Sequence, residues 1–228
     1  MTQDYVAVQY HLKRRPITNY PTKLAKHLVG LHDIPTYSKL LEVGAGRPDV
    51  LVGFRAAGMQ VFGCDISPVS EIACKKEGIP FKYVDLDDGN LPYESSSFDV
   101  VYSKSVIEHM NDPLSFVSES FRVLKPGGVL LVLTPDWEAN YRTFFDDFTH
   151  VRPMSRRSMN LLLSMLDPVE VHAYRFRQLP STWRNPFANA LCALLAPFVP
   201  VNTKKPFFRW SRELMLVGVA RKKSDRTV

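Results

Sequence analysis

Apolar positions along the chain alternate between two periods, and that alternation predicts a fold. Short runs of buried-strand type recur at 39–43, 59–65, 80–84, 98–103 and 129–134. Helix-spaced segments separate them at about 48–57, 67–77 and 113–124, and Thr22 to Leu31 forms another before the first strand. Ser67-Pro68 marks a helix start, a capping hydroxyl followed by a residue suited to the first turn. Asp87 to Pro92 is turn chemistry. After Thr134 the period is lost, and residues 135–153 hold many aromatics and charges without regular spacing. A stretch of that length in a compact domain reads as a lid or substrate wall. A helix over Ser155–Leu166, a strand over Val169–Leu179 and a last strand over Glu213–Arg221 complete the pattern. Strands alternating with helices build a mainly parallel, doubly wound α/β sheet covered on both faces. Ligands bind such sheets beyond the carboxyl ends of the strands. Glu42, Asp65, Asp85 and Ser103 all fall at or just past such ends.

Chemistry concentrates between Lys39 and Asp65. The first strand runs into Gly44-Ala45-Gly46, a turn where backbone approaches a ligand with no Cβ at either glycine. Asp65 follows Gly44 by 21 residues, close to the spacing at which a carboxylate meets ribose hydroxyls in mononucleotide-binding units. An adenosine-type ligand follows, and charge selects which one. Where a dinucleotide site needs a third small residue at the helix start, this chain has Asp49, and Glu42 precedes the turn. Two carboxylates there repel a diphosphate and favour a ligand bearing an ammonium and a sulfonium. S-adenosylmethionine fits; NAD and FAD fit poorly, which disfavours a dehydrogenase.

With these residues in place, the chain resembles the class I S-adenosylmethionine-dependent methyltransferases of the small-molecule type. The first motif is Glu42-Val43-Gly44-Ala45-Gly46, the second-strand acid is Asp65-Ile66, and the adenine-side acid is Asp85, followed by Leu86. Phe98 to Ser103 matches the fourth strand, Val106-Ile107-Glu108-His109 follows it, and Leu124 to Leu131 matches the fifth-strand hairpin. The likeness covers about residues 39 to 135. One departure is Pro48 in place of the usual third glycine; it reads as a reshaped turn, and it is the one feature favouring an inactive binding module. The resemblance implies a doubly wound, Rossmann-like, seven-stranded, mainly parallel sheet with an antiparallel last strand. It implies further that Glu42, Gly44, Ala45 and Gly46 cradle the methionine portion and that Asp65 takes the ribose diol. Ile66 would then pack on adenine, Asp85 accept from its amine, Leu86 offer backbone, and Ser103 lie near the methionine end. Asp147 to Pro153 is similar to a segment of methyltransferases associated with surface polysaccharides.

Methyl transfer to oxygen or nitrogen requires the acceptor to lose a proton. His150, with an imidazole suited to accept it near neutral pH, is the first candidate base, oriented by Asp146 or Asp147. His109, just past the fourth strand, is the second. Two bland readings stand beside them: His150 caps a helix or bonds backbone, and His109 only lines the pocket. In-line positioning alone contributes ~7–11 kcal/mol, so a base is not obligatory. Arg152 reads either as a holder of an anionic substrate group or as part of a structural ion pair.

Composition narrows the setting. With 228 residues and 45% apolar content, the chain reads as one domain over 1–228. A helical segment over 1–35 and substrate-side insertions at about 135–165 and 180–210 are expected within it. Cys64, Cys74 and Cys192 show neither metal nor disulfide spacing, and no metal site is expected. Together with an N-terminus lacking the apolar stretch of a signal peptide, this points to the cytoplasm. Residues 151–228 hold 14 Lys and Arg against 4 Asp and Glu, whereas residues 1–150 hold 15 against 19. Within the basic third, Pro186 to Val201 is apolar, interrupted by Pro197 and Pro200, and flanked by Arg184, Lys204, Lys205 and Arg209. Three readings remain open for it: peripheral contact with an anionic membrane, a helix packed on the sheet, or a dimer contact. A nucleic-acid partner is disfavoured, because the arginines are dispersed and no RNA-binding or base-flipping motif is present. The expected activity is methyl transfer to a small acceptor, at oxygen on a saccharide, lipid-linked or anionic metabolite. An inactive binding module and an RNA methyltransferase are the alternatives.

Overall fold

A computed structural model describes residues 4–11, 16–201, 203 and 205–224. Lys204, one of the basic residues flanking the apolar stretch, lies outside them. The central strand β1 (Lys39–Val43) pairs in parallel with β2 (Gln60–Asp65) on one side and β4 (Phe98–Lys104) on the other. Beyond β2 lies β3 (Phe81–Tyr83); beyond β4 lies β5 (Leu124–Pro135). β7 (Leu214–Arg221) runs antiparallel between β5 and β6 (Glu170–Arg177), giving the order β3-β2-β1-β4-β5-β7-β6. The expected doubly wound sheet with its antiparallel last strand is therefore present.

Nine α-helices accompany the sheet among the described residues: α1 (Tyr5–Gln9), α2 (Tyr20–Leu31), α3 (Asp49–Ala56), α4 (Pro68–Lys76), α5 (Pro113–Arg122), α6 (Trp137–Asn140), α7 (Arg156–Ser164), α8 (Pro186–Leu195) and α9 (Pro206–Arg212). The inner strands are apolar on both faces because both faces are covered. Leu41, Val101 and Leu130 point into one core with Phe116 and Val117 of α5 and Met159 and Leu163 of α7. Their strand neighbours Leu40, Val100 and Leu131 point into the other, with Leu24 and Leu28 of α2 and Leu51 and Phe54 of α3. Ser67 caps α4 by accepting from Val69 and Ser70 amides, as Ser67-Pro68 predicts.

Three differences from the sequence reading have local causes. β5 begins at Leu124 rather than 129, because Phe98 pairs with Leu124 and Val100 next pairs with Val129. The intervening residues bulge out through Gly127, whose φ is +77°. The segment 135–153 is not structureless. Asp136 accepts from the Glu138 amide to start α6, and a single 3-10 turn covers Phe144–Asp146. Helices of three or four residues are too short to show a period. Finally, α8 is nearly all apolar in sequence yet contains no buried residue.

Candidate active site

At the carboxyl end of β1 the chain turns through two left-handed glycines, Gly44 (φ +77°) and Gly46 (φ +49°). A Cβ on Gly44 would stand 2.2 Å from Cγ2 of Val106, so the turn after β4 closes directly against this backbone. Gly44 and Ala45 amides both donate to the Cys64 carbonyl, tying the turn to β2. The Asp65 carboxylate completes the tie, accepting from Gly46 N through Oδ2 and from Ser67 N through Oδ1, each at 2.8 Å. Burial raises the Asp65 pKa, opposed by these backbone donors. Each carboxylate oxygen keeps a second lone pair, so Asp65 holds the turn while retaining acceptor capacity for a ligand hydroxyl.

Glu42 lies beneath that turn, 3% exposed. Its Oε2 accepts no hydrogen bond among the described residues. Burial drives its pKa well above the usual carboxylate range; the Lys104 charge opposes this, while Asp65 and Asp49 add to it. A sealed carboxyl with an orphaned oxygen is what a cationic ligand group satisfies. Asp49, by contrast, is not a bare charge. Arg47 pairs with it at 2.5 Å, so discrimination against a diphosphate rests on Glu42. Pro48 is the residue before the first turn of α3 and introduces no left-handed backbone (φ −74°).

The remaining donor-side candidates are placed as follows. Ile66, 48% exposed, follows Asp65 at the mouth of the turn. Asp85 accepts from the Asp87 amide through Oδ1, starting a 3-10 turn over Leu86–Asp88, and Leu86 leans on the adjacent core. Ser103 is buried and donates its one proton to the Val43 carbonyl at 2.9 Å. It therefore locks β4 to β1 and has no proton left for a ligand.

Past the end of β4, the fold brings together two histidines 41 positions apart: the His109 and His150 ring centroids are 4.8 Å apart. Backbone docking makes this possible, because Val151 and Arg152 amides both donate to the Glu108 carbonyl. His150 Nδ1 lies 2.6 Å from the Phe144 carbonyl and His109 Nδ1 lies 3.2 Å from the Thr149 carbonyl. A carbonyl only accepts, so both Nδ1 atoms carry hydrogen, and in the neutral ring the lone pair sits on Nε2. Thr149 Oγ1 also accepts from His109 Nδ1 and passes its own proton to Asp147 Oδ1 at 2.7 Å. His150 thus bonds backbone, as its bland reading held, and the Phe144 carbonyl orients it rather than Asp146 or Asp147. Burial lowers the His109 pKa, with the neighbouring His150 adding to the effect. Arg152 donates to the Asn111 carbonyl at 2.6 Å.

Several residues that matter here escaped the sequence. Helix α1 and its flanks tie the donor-turn side to the 144–151 segment: Asp4 accepts from Ser67 Oγ, Tyr5 Oη and Gln9 Nε2 donate to Asp147 Oδ2, and Arg47 donates to the Tyr10 carbonyl. Burial opposes ionisation of Asp147, but bonds from Thr149 and Tyr5 hold its pKa down at about 2. Glu108 stood in a recognised segment without a role. It is wholly buried, Thr134 Oγ1 donates to its Oε2, and its pKa is pushed up to about 7 by burial. Its Oε1 has no partner among the described residues.

Comparison with known proteins bears on the same elements. A family model described as a methyltransferase domain matches residues 41–132, from β1 into β5. A probable S-adenosylmethionine-dependent methyltransferase of Mycolicibacterium smegmatis is 38% identical over 120 residues, 46% of this chain and 44% of that protein. A ubiquinone biosynthesis O-methyltransferase of Cereibacter sphaeroides is 29% identical over 100 residues, 42% of this chain and 40% of that protein. The chain thus spans less than half the length of these curated relatives. Among solved structures, a chain from the complex of the Haloferax volcanii Trm112 methyltransferase activator with a putative methyltransferase aligns at a TM-score of 0.71 and 17% identity. It covers 98% of this chain and 100% of its own. A structure of an Archaeoglobus fulgidus SAM-dependent methyltransferase aligns at 0.66 and 17% identity, over 96% of this chain and 100% of its own. At such identities the likeness is one of fold.

Proposed function

We propose, from the premise that this chain carries a class I S-adenosylmethionine-dependent methyltransferase domain, that it transfers the donor's methyl group to an oxygen of a small acceptor, lipid-linked or anionic, at a membrane surface. The observation that carries the donor half is the orphaned, buried Oε2 of Glu42 under the Gly44–Gly46 turn. Its carboxylate receives the methionine ammonium, the two glycines and Ala45 line the methionine portion, and Asp65 accepts from the ribose diol. Ile66 covers adenine, whose amine donates to Asp85 beside the Leu86 backbone. These residues hold the sulfonium methyl toward the acceptor; the methyl passes in line to the acceptor oxygen while the S–C pair returns to sulfur. His150, its Nδ1 proton fixed on the Phe144 carbonyl, offers the Nε2 lone pair to the acceptor's departing proton. His109, held in the same tautomer, lies beside it.

The acceptor half rests on the surface around α8. Asn189, the one polar side chain within that helix, is tied to the protein body by accepting from Arg177. Phe187, Leu194 and Phe198 stand 77%, 69% and 81% exposed, with Arg184 and Lys205 exposed beside them. Apolar rings framed by cations suit a layer of anionic lipid. A second copy of the chain would set the same cations against one another. No helix among the described residues is long and apolar enough to cross a membrane. Calorimetric titration of S-adenosylmethionine and S-adenosylhomocysteine into wild type and Asp65→Ala tests the donor site. Binding that collapses in the variant is expected; no heat from folded wild type refutes the reading.

A further inference from the structure

Outside the donor turn, the most unusual chemistry of this molecule lies where the turn after β4 meets the 144–151 segment. Glu108, His109 and His150 each offer one ligand atom, and those atoms lie within 4.8 Å of one another. Independent features set all three side chains for the same task. Each imidazole has its Nδ1 hydrogen engaged by an oxygen, on Phe144 for His150 and on Thr149 for His109, so each presents a bare Nε2. Behind His109, Thr149 is itself bonded to ionised Asp147, the outer carboxylate that commonly fixes the tautomer of a metal-bound histidine. The Glu108 carboxyl is fully enclosed, one oxygen held by Thr134 and the other without a partner among the described residues. A buried, unpaired carboxylate oxygen beside two bare imidazole nitrogens is an acceptor-only cluster, and acceptors alone repel. Only a proton or a cation reconciles them.

We propose that Glu108, His109 and His150 bind a divalent transition-metal ion of the zinc class where the turn after β4 meets the 144–151 segment. Two imidazoles and one carboxylate form a ligand set that leaves a coordination position open to a substrate oxygen. Metal–ligand bonds of ~2.0–2.2 Å place tetrahedral ligands ~3.3–3.5 Å apart, so modest χ rotations close the present spread. With His150 Nε2 taken up as a ligand, the ion replaces it in activating the acceptor: as a Lewis acid it lowers the pKa of a coordinated acceptor hydroxyl, whose proton leaves to solvent. The site goes beyond the donor reading and stands without it, because the side-chain hydrogen bonds of its ligands run to Thr134, Phe144 and Thr149 and not to the Gly44–Gly46 turn.

The test uses the full chain, freed of metal with a chelator and titrated without S-adenosylmethionine. Zn²⁺ is followed by calorimetry and Co²⁺ by its visible absorption. One equivalent should bind, with d–d bands of a four- or five-coordinate nitrogen–oxygen site. His150→Ala and His109→Ala, both at partly exposed positions, should each weaken binding at least tenfold. Thr149→Val, which removes the oxygen linking His109 to Asp147, should weaken it ~10–100-fold and Thr149→Ser should restore it. Wild type without stoichiometric binding, or histidine variants that bind like wild type while folded by circular dichroism, overturns the site. Donor titration of the same metal-free protein separates the two claims. Donor binding without metal binding removes this site alone, and metal binding without donor binding removes the Glu42 reading alone.

Discussion

The carboxyl of Glu42, sealed beneath the first glycine turn with its pKa raised by burial, ionises when a cation arrives beside it. The sign of the resulting pH dependence follows. In the free protein the group holds its proton to higher pH than an exposed glutamate; a bound ammonium lowers that pKa. Between the two values, binding releases a proton, so affinity for S-adenosylmethionine rises with pH and levels off above the free-state pKa. Calorimetry in buffers of different ionisation heat reads that proton directly. Glu42→Gln keeps the shape and loses the charge. It should bind the donor ~10–100-fold more weakly, by analogy with charged hydrogen bonds of ~1.5–3 kcal/mol, and release no proton. Equal affinity in the two proteins would assign the methionine ammonium elsewhere. Glu42 was legible in the sequence because its place before a Gly-x-Gly turn is fixed by the strand. The partner that tempers Asp49 was not, since nothing in the spacing of Arg47 shows which way its side chain turns.

Elements impose their own tests. The turn at Gly44 combines a left-handed φ with a Val106 methyl where a Cβ would sit. Gly44→Ala should therefore cost ~1–3 kcal/mol from the backbone conformation, with overpacking added, and lower the thermal midpoint by several degrees. An unchanged midpoint would mean that the β4 turn is free to withdraw. Helix α1 is a different case. Five residues are too few to persist alone in water, so its docking bonds sustain it. Asp4→Ala removes its cap and the bond from Ser67 together, and such caps contribute ~1 kcal/mol. Amide hydrogen exchange in α1 should quicken in the variant while the sheet stays protected. Acid should loosen it too. The folded Asp147 pKa lies below the ordinary value of 3.8, so its contribution is intact above that pH and fades as the pH falls through about 2. The sheet itself was readable from period and length. The short helices α1 and α6 were not, because four or five residues cannot display a repeat and their capping acids look like any loop acids.

Over the whole molecule, charge and greasiness gather at one end of the chain, and α8 shows that the greasiness is not consumed by the core. Co-sedimentation with phosphatidylserine-containing vesicles should capture the protein, weaken as salt rises, and fail for Phe198→Asp. Neutral vesicles should capture little. A salt-insensitive dimer in place of vesicle binding would make the same face a self-contact. The sequence exposed the apolar run but left its partner open among membrane, sheet and second copy. Burial, which no linear pattern contains, removed the sheet. The histidine pair was likewise visible as two separate residues and not as a pair, since their meeting depends on Val151 and Arg152 hooking onto Glu108. A last consequence lies in Asp147, which receives Tyr5, Gln9 and Thr149 at once. Removing α1 would strip two donors from a side chain that, through the Thr149 hydroxyl, also backs the Nδ1 hydrogen of His109. The anchoring of α1 and the bond network behind His109 thus meet on one aspartate, so that a substitution at Asp147 should disturb both together.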